Sequence, residues 1–310
     1  MKPIVLCGPT ASGKTELALE LARQTDGIII SADSRQVYKH LTIGTAKPQG
    51  QWKNGIYRAD GIPYYLVDFL DVADTFNAGD FCSHARQIVA ENPTKPLIFA
   101  GGTGLYLQSY FVGMDDLPRS TPQTRATLED LLKKEGKEGL HRALQAKDPV
   151  SAAHIPPGNV QRTMRALELC LLTGKPASEL KSGKFFQLPD KEQSHWVYLH
   201  WDKDALNERI QLRTEQMFDG MVKETKDLLQ AGHPADVPAL KSLGYPQVMS
   251  YLQGALSREK AIAEIVLKTR QYAKRQRTWF NRYTNAQRLE LMGIADFVPT
   301  QLVQQILKNL

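Results

Sequence analysis

The stretch Gly8-Pro9-Thr10-Ala11-Ser12-Gly13-Lys14-Thr15 constrains this chain more than any other. It follows the apolar run Ile4-Val5-Leu6-Cys7 and opens into Glu16-Leu17-Ala18-Leu19-Glu20-Leu21-Ala22, so the order is strand, glycine loop, helix. That order suits a phosphate-binding loop. Glycines let successive backbone N–H groups converge on one point, and the helix N-terminus adds partial positive charge there. Lys14 then reaches terminal phosphate oxygens, and the Thr15 hydroxyl holds a Mg²⁺ that bridges them. The expected ligand carries at least two linked phosphates.

Further strands are expected at Gly27-Ile28-Ile29-Ile30-Ser31, at Tyr64-Tyr65-Leu66-Val67 ending in Asp68, at Pro96-Leu97-Ile98-Phe99-Ala100 and at Trp196-Val197-Tyr198-Leu199-His200. Helical stretches at Ala78 to Glu91 and Leu105 to Phe111 alternate with them, as βαβ crossovers require. From Asp115 to about Lys184 no strand is evident. Polar helix-forming stretches run instead from Gln123 to Glu135, Gly139 to Lys147 and Asn159 to Leu172, broken at Pro149, Pro156-Pro157 and Gly174-Lys175-Pro176. The fold class is therefore α/β: a P-loop core with a parallel sheet flanked by helices, plus an inserted all-helical subdomain. Residues 1–113 and 191–310 form the core and 114–190 the insertion. Past the fifth strand come a long helix from Asp204 to Gln230, a turn at Leu243-Gly244-Tyr245-Pro246, a helix from Ser257 to Arg282, and a tail with a strand-like run and a weak helix.

The 310 residues carry a net charge of +6, and that charge is uneven: Lys268 to Arg282 holds six basic residues and no acid. A polyanionic partner beyond the small phosphate ligand is expected. The three cysteines, Cys7, Cys82 and Cys170, form no CxxC pair, which points to a reducing compartment and away from structural zinc. No apolar stretch has the roughly 18 residues of a membrane span. A cytoplasmic, monomeric protein is expected.

In an open parallel sheet the ligand lies outside the carboxyl ends of the strands. Asp33, after the second strand, and Thr103, in Gly101-Gly102-Thr103-Gly104, should therefore face the phosphate loop. Asp33 reads either as a turn residue or as a general base, and Thr103 either as a helix cap or as a site residue. Arg209 and Arg213 lie one turn apart, and one of them, Arg213 by preference, suits a diphosphate. Ile265, Tyr272 and Trp279 recur every seven residues as a buried stripe, leaving Arg270, Lys274 and Arg277 as a basic ridge for a nucleic-acid backbone. Gln161-Arg162-Thr163-Met164-Arg165 repeats the theme in the insertion.

Taken together, these motifs resemble the bacterial tRNA dimethylallyltransferases (IPP transferase family). The resemblance spans nearly the whole chain. It rests on the phosphate loop, Asp33-Ser34 with Tyr38 and Ile43-Gly44-Thr45-Ala46-Lys47-Pro48, Gly101-Gly102-Thr103-Gly104-Leu105-Tyr106, and Gln161-Arg162 with Arg165-Ala166-Leu167-Glu168. Gly174-Lys175-Pro176, Arg209 and Arg213 with Met217, Leu243-Gly244-Tyr245, and Thr269-Arg270-Gln271 with Ala273-Lys274-Arg275-Gln276 and Trp279 complete it. The resemblance implies dimethylallyl transfer from dimethylallyl diphosphate to N6 of adenosine 37, beside the anticodon, in tRNAs reading codons that begin with U. It implies Asp33 as base, Thr103 on the bridging oxygen of the leaving diphosphate, and Lys14, Thr15 with Mg²⁺, and Arg213 neutralising that group. The tRNA contacts it implies are Asp33, Ser34, Arg35, Gln36, Thr103, Arg125, Gln161, Arg162, Thr163, Met164, Arg165, Lys241, Ser242, Leu243, Gly244, Tyr245, Pro246, Arg270, Lys274 and Arg277. Two departures are visible: Tyr64-Tyr65 where the family often has a His pair, and Pro246 where a basic residue is frequent. Rival readings are an ATP-dependent small-molecule kinase, a prenyltransferase acting on free adenine nucleotide, and an RNA-binding protein with a vestigial phosphate site.

Overall fold

The computed structural model describes residues 1–180, 182, 183, 185 and 187–310. Among them, eight strands form one sheet in the order β3-β4-β5-β2-β6-β1-β7-β8. Six are parallel: β5 (Ile62–Tyr65), β2 (Ile28–Ser31), β6 (Leu97–Gly101), β1 (Ile4–Cys7), β7 (His195–Trp201) and β8 (Gln287–Leu291). Central β1 pairs Cys7 with Gly101 of β6 on one side and with Tyr198 of β7 on the other. The glycine loop after β1 and the Gly101-Gly102 turn after β6 thus leave the sheet side by side.

The central strands read as unbroken apolar runs because both faces are covered. Their side chains sort with period two. Ile4, Leu6, Ile29, Ile98, Ala100, Val197, Leu199 and Trp201 enter one core, whereas Val5, Cys7, Ile28, Ile30, Phe99, Trp196 and Tyr198 enter the other. α1 (Lys14–Thr25), α7 (Lys203–Gln230), α8 (Tyr245–Leu252) and α10 (Pro299–Leu307) contribute to the first core, and α2 (Ala78–Glu91) and α3 (Gly104–Phe111) to the second. α9 (Arg258–Phe280) serves both, with Ile265 and Ala273 in the first and Phe280 in the second. Each fully buried aliphatic side chain contributes about 1.5–3 kcal/mol relative to exposure.

The sheet departs from the sequence reading at its edge. β3 (Gln51–Lys53) and β4 (Ile56–Ala59) add antiparallel strands beside β5, joined through Asn54-Gly55 and Asp60-Gly61 turns with positive φ. The third parallel strand ends at Tyr65, so Asp68 is off the sheet. It is instead ion-paired with Lys47 at 2.5 Å, and Lys47 also donates to the Tyr38 carbonyl at 2.6 Å. Pro246 occupies the first turn of α8, where its missing N–H costs nothing.

The chain divides into two compact units, residues 1–111 with 188–310, and residues 112–187. The second unit is built from α4 (Pro122–Lys147), α5 (Pro149–His154) and α6 (Val160–Thr173), packed through Leu128, Leu140, Leu144, Ala166, Leu167 and Leu169. α4 takes in both helical stretches expected there, across Gly136 with φ of 69°. Lys184, where the helical stretch was expected to end, lies outside the described residues. Among the described residues no helix is long and apolar enough to cross a membrane.

Candidate active site

The site of the first unit is assembled from strand ends. Gly13, with φ of 86°, starts α1, and Ala11, with φ of 64°, turns the loop before it. A Cβ on Gly13 would lie 2.2 Å from the Phe297 ring, so only glycine fits. The loop backbone is held from three directions. The Trp201 indole N–H donates to the Ser12 carbonyl at 3.1 Å, Arg209 Nε to the Ala11 carbonyl at 2.9 Å, and the Thr10 N–H to Gln276 Oε1 at 2.8 Å. Gln276 Nε2 donates in turn to the Gly102 carbonyl at 2.8 Å, tying the two glycine turns together.

Cations gather here. Lys14 Nζ folds back onto the Pro9 carbonyl at 2.6 Å and Ser12 Oγ at 3.2 Å. Burial lowers its pKa to about 8, with Asp33 opposing that shift and Arg213 reinforcing it. Arg213 donates to Thr10 Oγ1 at 2.7 Å, and burial, aided by Arg209, lowers it to about 10. The Arg209 guanidinium sits 4.6 Å from the Trp201 ring centroid and 5.3 Å from that of Phe297, so two aromatic faces orient it. Such a set of dehydrated cations calls for an anion.

Two cavities meet at this point. The first, about 470 Å³, is lined by Thr10 to Glu16, Asp33, Tyr64, Gly101, Gly102, Arg209, Arg213 and Gln276. The second, about 370 Å³, is lined by Ser34, Arg35, Met217, Met221, Lys241, Ser242, Leu243, Ile265 and Arg275. Thr10, Asp33, Thr45, Ala46, Arg213 and Tyr272 line both. Both cavities carry cations, Lys14 and Arg209 in the first and Arg35, Lys241 and Arg275 in the second, and the second adds a thioether-bearing wall of Met217 and Met221, with Asp33 where the two meet.

Asp33 realises the turn reading and remains open to the other. Its Oδ1 accepts the N–H groups of Arg35 at 2.8 Å and Gln36 at 3.3 Å. Among the described residues no donor meets Oδ2, and the residue lines both cavities. Thr103 Oγ1 accepts the Ser34 N–H at 3.0 Å, which fixes the Asp33 turn to the β6 loop. With its hydroxyl turned that way, Thr103 stands behind Gly101 and Gly102 and lines neither cavity. Thr15 lines the first cavity, hydrogen-bonded to the Tyr64 hydroxyl, whose pKa burial pushes far up.

The remaining expected contact residues fall into exposed and buried sets. Arg270 and Lys274 are exposed and Arg277 half-buried on α9. Tyr272, expected in the buried stripe with Ile265 and Trp279, instead lines both cavities. Lys241 and Pro246 are exposed, whereas Ser242, Gly244 and Tyr245 are buried and Leu243 is intermediate. In the second unit Arg125, Gln161 and Arg162 are exposed, Thr163 is fully buried, and Met164 packs on the helical core. Arg165 is held by Glu168 at 3.3 Å and the Pro118 carbonyl at 2.9 Å.

Several residues of the site were not singled out from sequence: Gln216, Met221 and Glu224 on α7, and Trp201 and Phe297 beside the loop. The α7 residues had a signal. Steps of three or four from Arg209 and Arg213 reach Gln216, Met217, Met221 and Glu224 along the same helix face.

Comparison with known proteins agrees with this geometry. The signature described as IPP transferase matches residues 36–283, and that described as Isopentenyl transferase matches residues 1–60. A tRNA dimethylallyltransferase of Elusimicrobium minutum is 52% identical over 284 residues, covering 91% of this chain and 92% of its own length. That of Myxococcus xanthus is 40% identical over 285 residues, with 91% and 90% covered. Among solved structures, the tRNA isopentenylpyrophosphate transferase of Bacillus halodurans aligns with a TM-score of 0.68 at 31% identity, covering 99% of this chain and 95% of its own. A eukaryotic dimethylallyltransferase acting on tRNA has the same fold, with a TM-score of 0.76 at 23% identity and coverage of 99% and 80%. This chain belongs to the IPP transferase family.

Proposed function

We propose that this protein transfers a dimethylallyl group from dimethylallyl diphosphate to N6 of adenosine 37 in tRNA, as a cytoplasmic monomer. The observation that carries the reading is the shared wall: Asp33, Arg213 and Tyr272 stand between the cavity of the glycine loop and a second cavity whose wall combines Met217, Met221, Leu243 and Ile265 with the cations Arg35, Lys241 and Arg275. The diphosphate lies on the loop from Pro9 to Thr15, neutralised by Lys14 and Arg213, with Arg209 bracing the loop beneath it. The target adenine, flipped out of the anticodon loop, enters by the second cavity and presents N6 to Asp33.

As the bond between C1 of the dimethylallyl group and the bridging oxygen breaks, its electron pair leaves with the diphosphate. The N6 lone pair forms the new bond to C1, and the N6 proton passes to Asp33 Oδ2. An allylic cation is delocalised, so the protein's main tasks are alignment and stabilisation of the leaving charge. Thr103 acts one step removed: it lines neither cavity, and its Oγ1, accepting the Ser34 N–H, holds the turn that presents Asp33.

Mg²⁺ binds through hard oxygens and commonly keeps waters, taking one or two protein ligands beside substrate phosphates. The residues fit that pattern. Among the described residues no group of three His, Cys, Asp or Glu could hold a metal alone. The Thr15 hydroxyl lines the diphosphate cavity and is oriented by Tyr64. Thr15 is the residue that would hold the ion, which would supply charge neutralisation to the diphosphate. For tRNA contact we assign Arg270, Lys274, Arg277, Lys241 and the segment from Ser34 to Gln36 in the first unit, and Arg125, Gln161 and Arg162 in the second.

The test is incubation with Mg²⁺, unmodified tRNA and radiolabelled dimethylallyl diphosphate, with a free adenine nucleotide and ATP in parallel. Label entering tRNA at the adenosine beside the anticodon is expected; label in the free nucleotide alone, or ATP turnover without prenyl transfer, would overturn the reading. In the same assay Asp33→Ala lowers turnover by about 10²–10⁴-fold with tRNA affinity retained. Normal turnover in that variant removes Asp33 from the base role.

A further inference from the structure

The loop from Thr42 to Ala46 supplies Gly44, Thr45 and Ala46 to the cavity walls, and Thr45 and Ala46 belong to both. It has no regular structure of its own, yet it is clamped from two sides. On one side is Glu224 of α7. Its Oε1 accepts the N–H of Thr42 at 2.7 Å and of Ile43 at 2.5 Å, while Oε2 accepts the N–H of Gly44 at 3.2 Å and the Tyr245 hydroxyl at 2.6 Å. A single carboxylate thus satisfies three successive backbone donors, an arrangement that suits a fixed negative charge. Tyr245 is fully buried, and a Cβ on Gly44 would lie 2.3 Å from its hydroxyl oxygen, so the loop has no room to move toward α8.

On the other side is Gln36. Its Nε2 donates to the carbonyls of Ala46 at 3.0 Å and Thr45 at 3.3 Å, while its backbone N–H donates to Asp33 Oδ1 at 3.3 Å. A continuous series of hydrogen bonds therefore runs from Glu224 through the loop and Gln36 to Asp33. Along α7 the same helix face gives Arg213 to both cavities, Met217 and Met221 to the second, and Glu224 to the loop that helps wall both.

We propose that Glu224 is a positioning residue for the transfer step, fixing the cavity wall at Gly44 to Ala46 and, through Gln36, the Asp33 carboxylate. The proposal rests on the prenyl-transfer reading above. Glu224 lines neither cavity and hydrogen-bonds no residue of the loop from Pro9 to Thr15, so its loss should affect turnover far more than donor binding.

Glu224→Gln tests this, because it keeps the shape of the side chain and sets an NH₂ group against N–H and O–H donors. Backbone hydrogen exchange and steady-state kinetics are measured on the same purified variant. Exchange at residues 42–44 is expected to accelerate at least about tenfold, with β1 and α1 unchanged. Turnover with tRNA falls about 10–100-fold, while KM for dimethylallyl diphosphate stays within about twofold. Tyr245→Phe removes one of the four bonds and gives the same signature at smaller size; it also serves if the Gln variant fails to fold. Unaltered exchange at residues 42–44 overturns the clamp whatever the activity of the parent protein. Accelerated exchange with normal turnover, or with equal losses on both substrates, overturns the positioning role. A parent protein that transfers no prenyl group defeats the reading of the reaction instead, and the exchange data then decide the clamp alone.

Discussion

Lys14 and Arg213, inside the first cavity, and Arg270 and Lys274, on the outer face of α9, are both assigned to phosphate, yet they work under opposite conditions. The inner pair is half-buried, held by named partners, and lowered in pKa to about 8 and about 10. The outer pair is exposed to solvent, with Arg270 donating to the Asn207 carbonyl at 3.4 Å. A buried cation gives a strong, local interaction that salt hardly reaches; an exposed one gives a weak interaction that steers a large polyanion and fades with ionic strength. On the proposed reading, the same residue types serve a small leaving group in one place and a macromolecule in another.

Four measurements would sharpen or break that contrast. The largest effect is expected for Lys14→Ala, which should lower kcat/KM for the donor about 10³-fold, nearly independently of salt. A loss that shrinks steeply with salt would place Lys14 with the exposed set. Next comes pH. Lys14 loses its proton as pH rises through about 8, so donor kcat/KM should fall above that value while kcat at saturating donor stays level. The fall amounts to about tenfold one to two pH units beyond the midpoint. Arg213→Gln removes a charge that depresses Lys14, so the midpoint should move upward; a midpoint that stays put denies the coupling. Third, Lys274→Ala with Arg277→Ala should weaken tRNA binding about fivefold at moderate salt and flatten its salt dependence. An unchanged slope would make the ridge a solvated face and nothing more. The smallest effect is expected for Phe297→Leu, which removes one ring beside Arg209 and loosens the cover over Gly13, raising donor KM about threefold. A donor KM equal to the parent's would leave Trp201 as the sole aromatic support that matters.

What could be read from sequence follows the range over which each signal acts. The loop from Gly8 to Thr15 was legible because its geometry is set by residues adjacent in the chain. The central strands were legible because burial on both faces writes unbroken apolar runs. Asp33 was legible as a strand-end carboxylate, although only coordinates show one oxygen engaged in the turn and the residue placed between two cavities. β3 and β4 were missed because they are only three and four residues long, β3 is an exposed edge, and the alternation of β4 rests on two buried residues, Tyr57 and Ala59, too few to stand out. Asp68 was misplaced at a strand end because Leu66 and Asp68 take positive φ, which sequence pattern does not reveal in non-glycine residues. Glu224 and Phe297 were invisible for a different reason: each acts on a loop distant in the chain, and nothing local distinguishes them from a solvated charge or a core ring.

The tie between Thr10 and Gln276 spans 266 positions, and the contact of Phe297 with Gly13 reaches further still. During synthesis the loop from Gly8 to Thr15 therefore leaves the ribosome early, meets Trp201 only 189 positions after Ser12, and waits longer still for Gln276 and Phe297, a separation that also slows folding. β1 waits a shorter span for β7, its neighbour on one side, with Cys7 paired to Tyr198. The set of contacts around the loop is thus a property of the whole chain, completed only with the segment that carries Phe297.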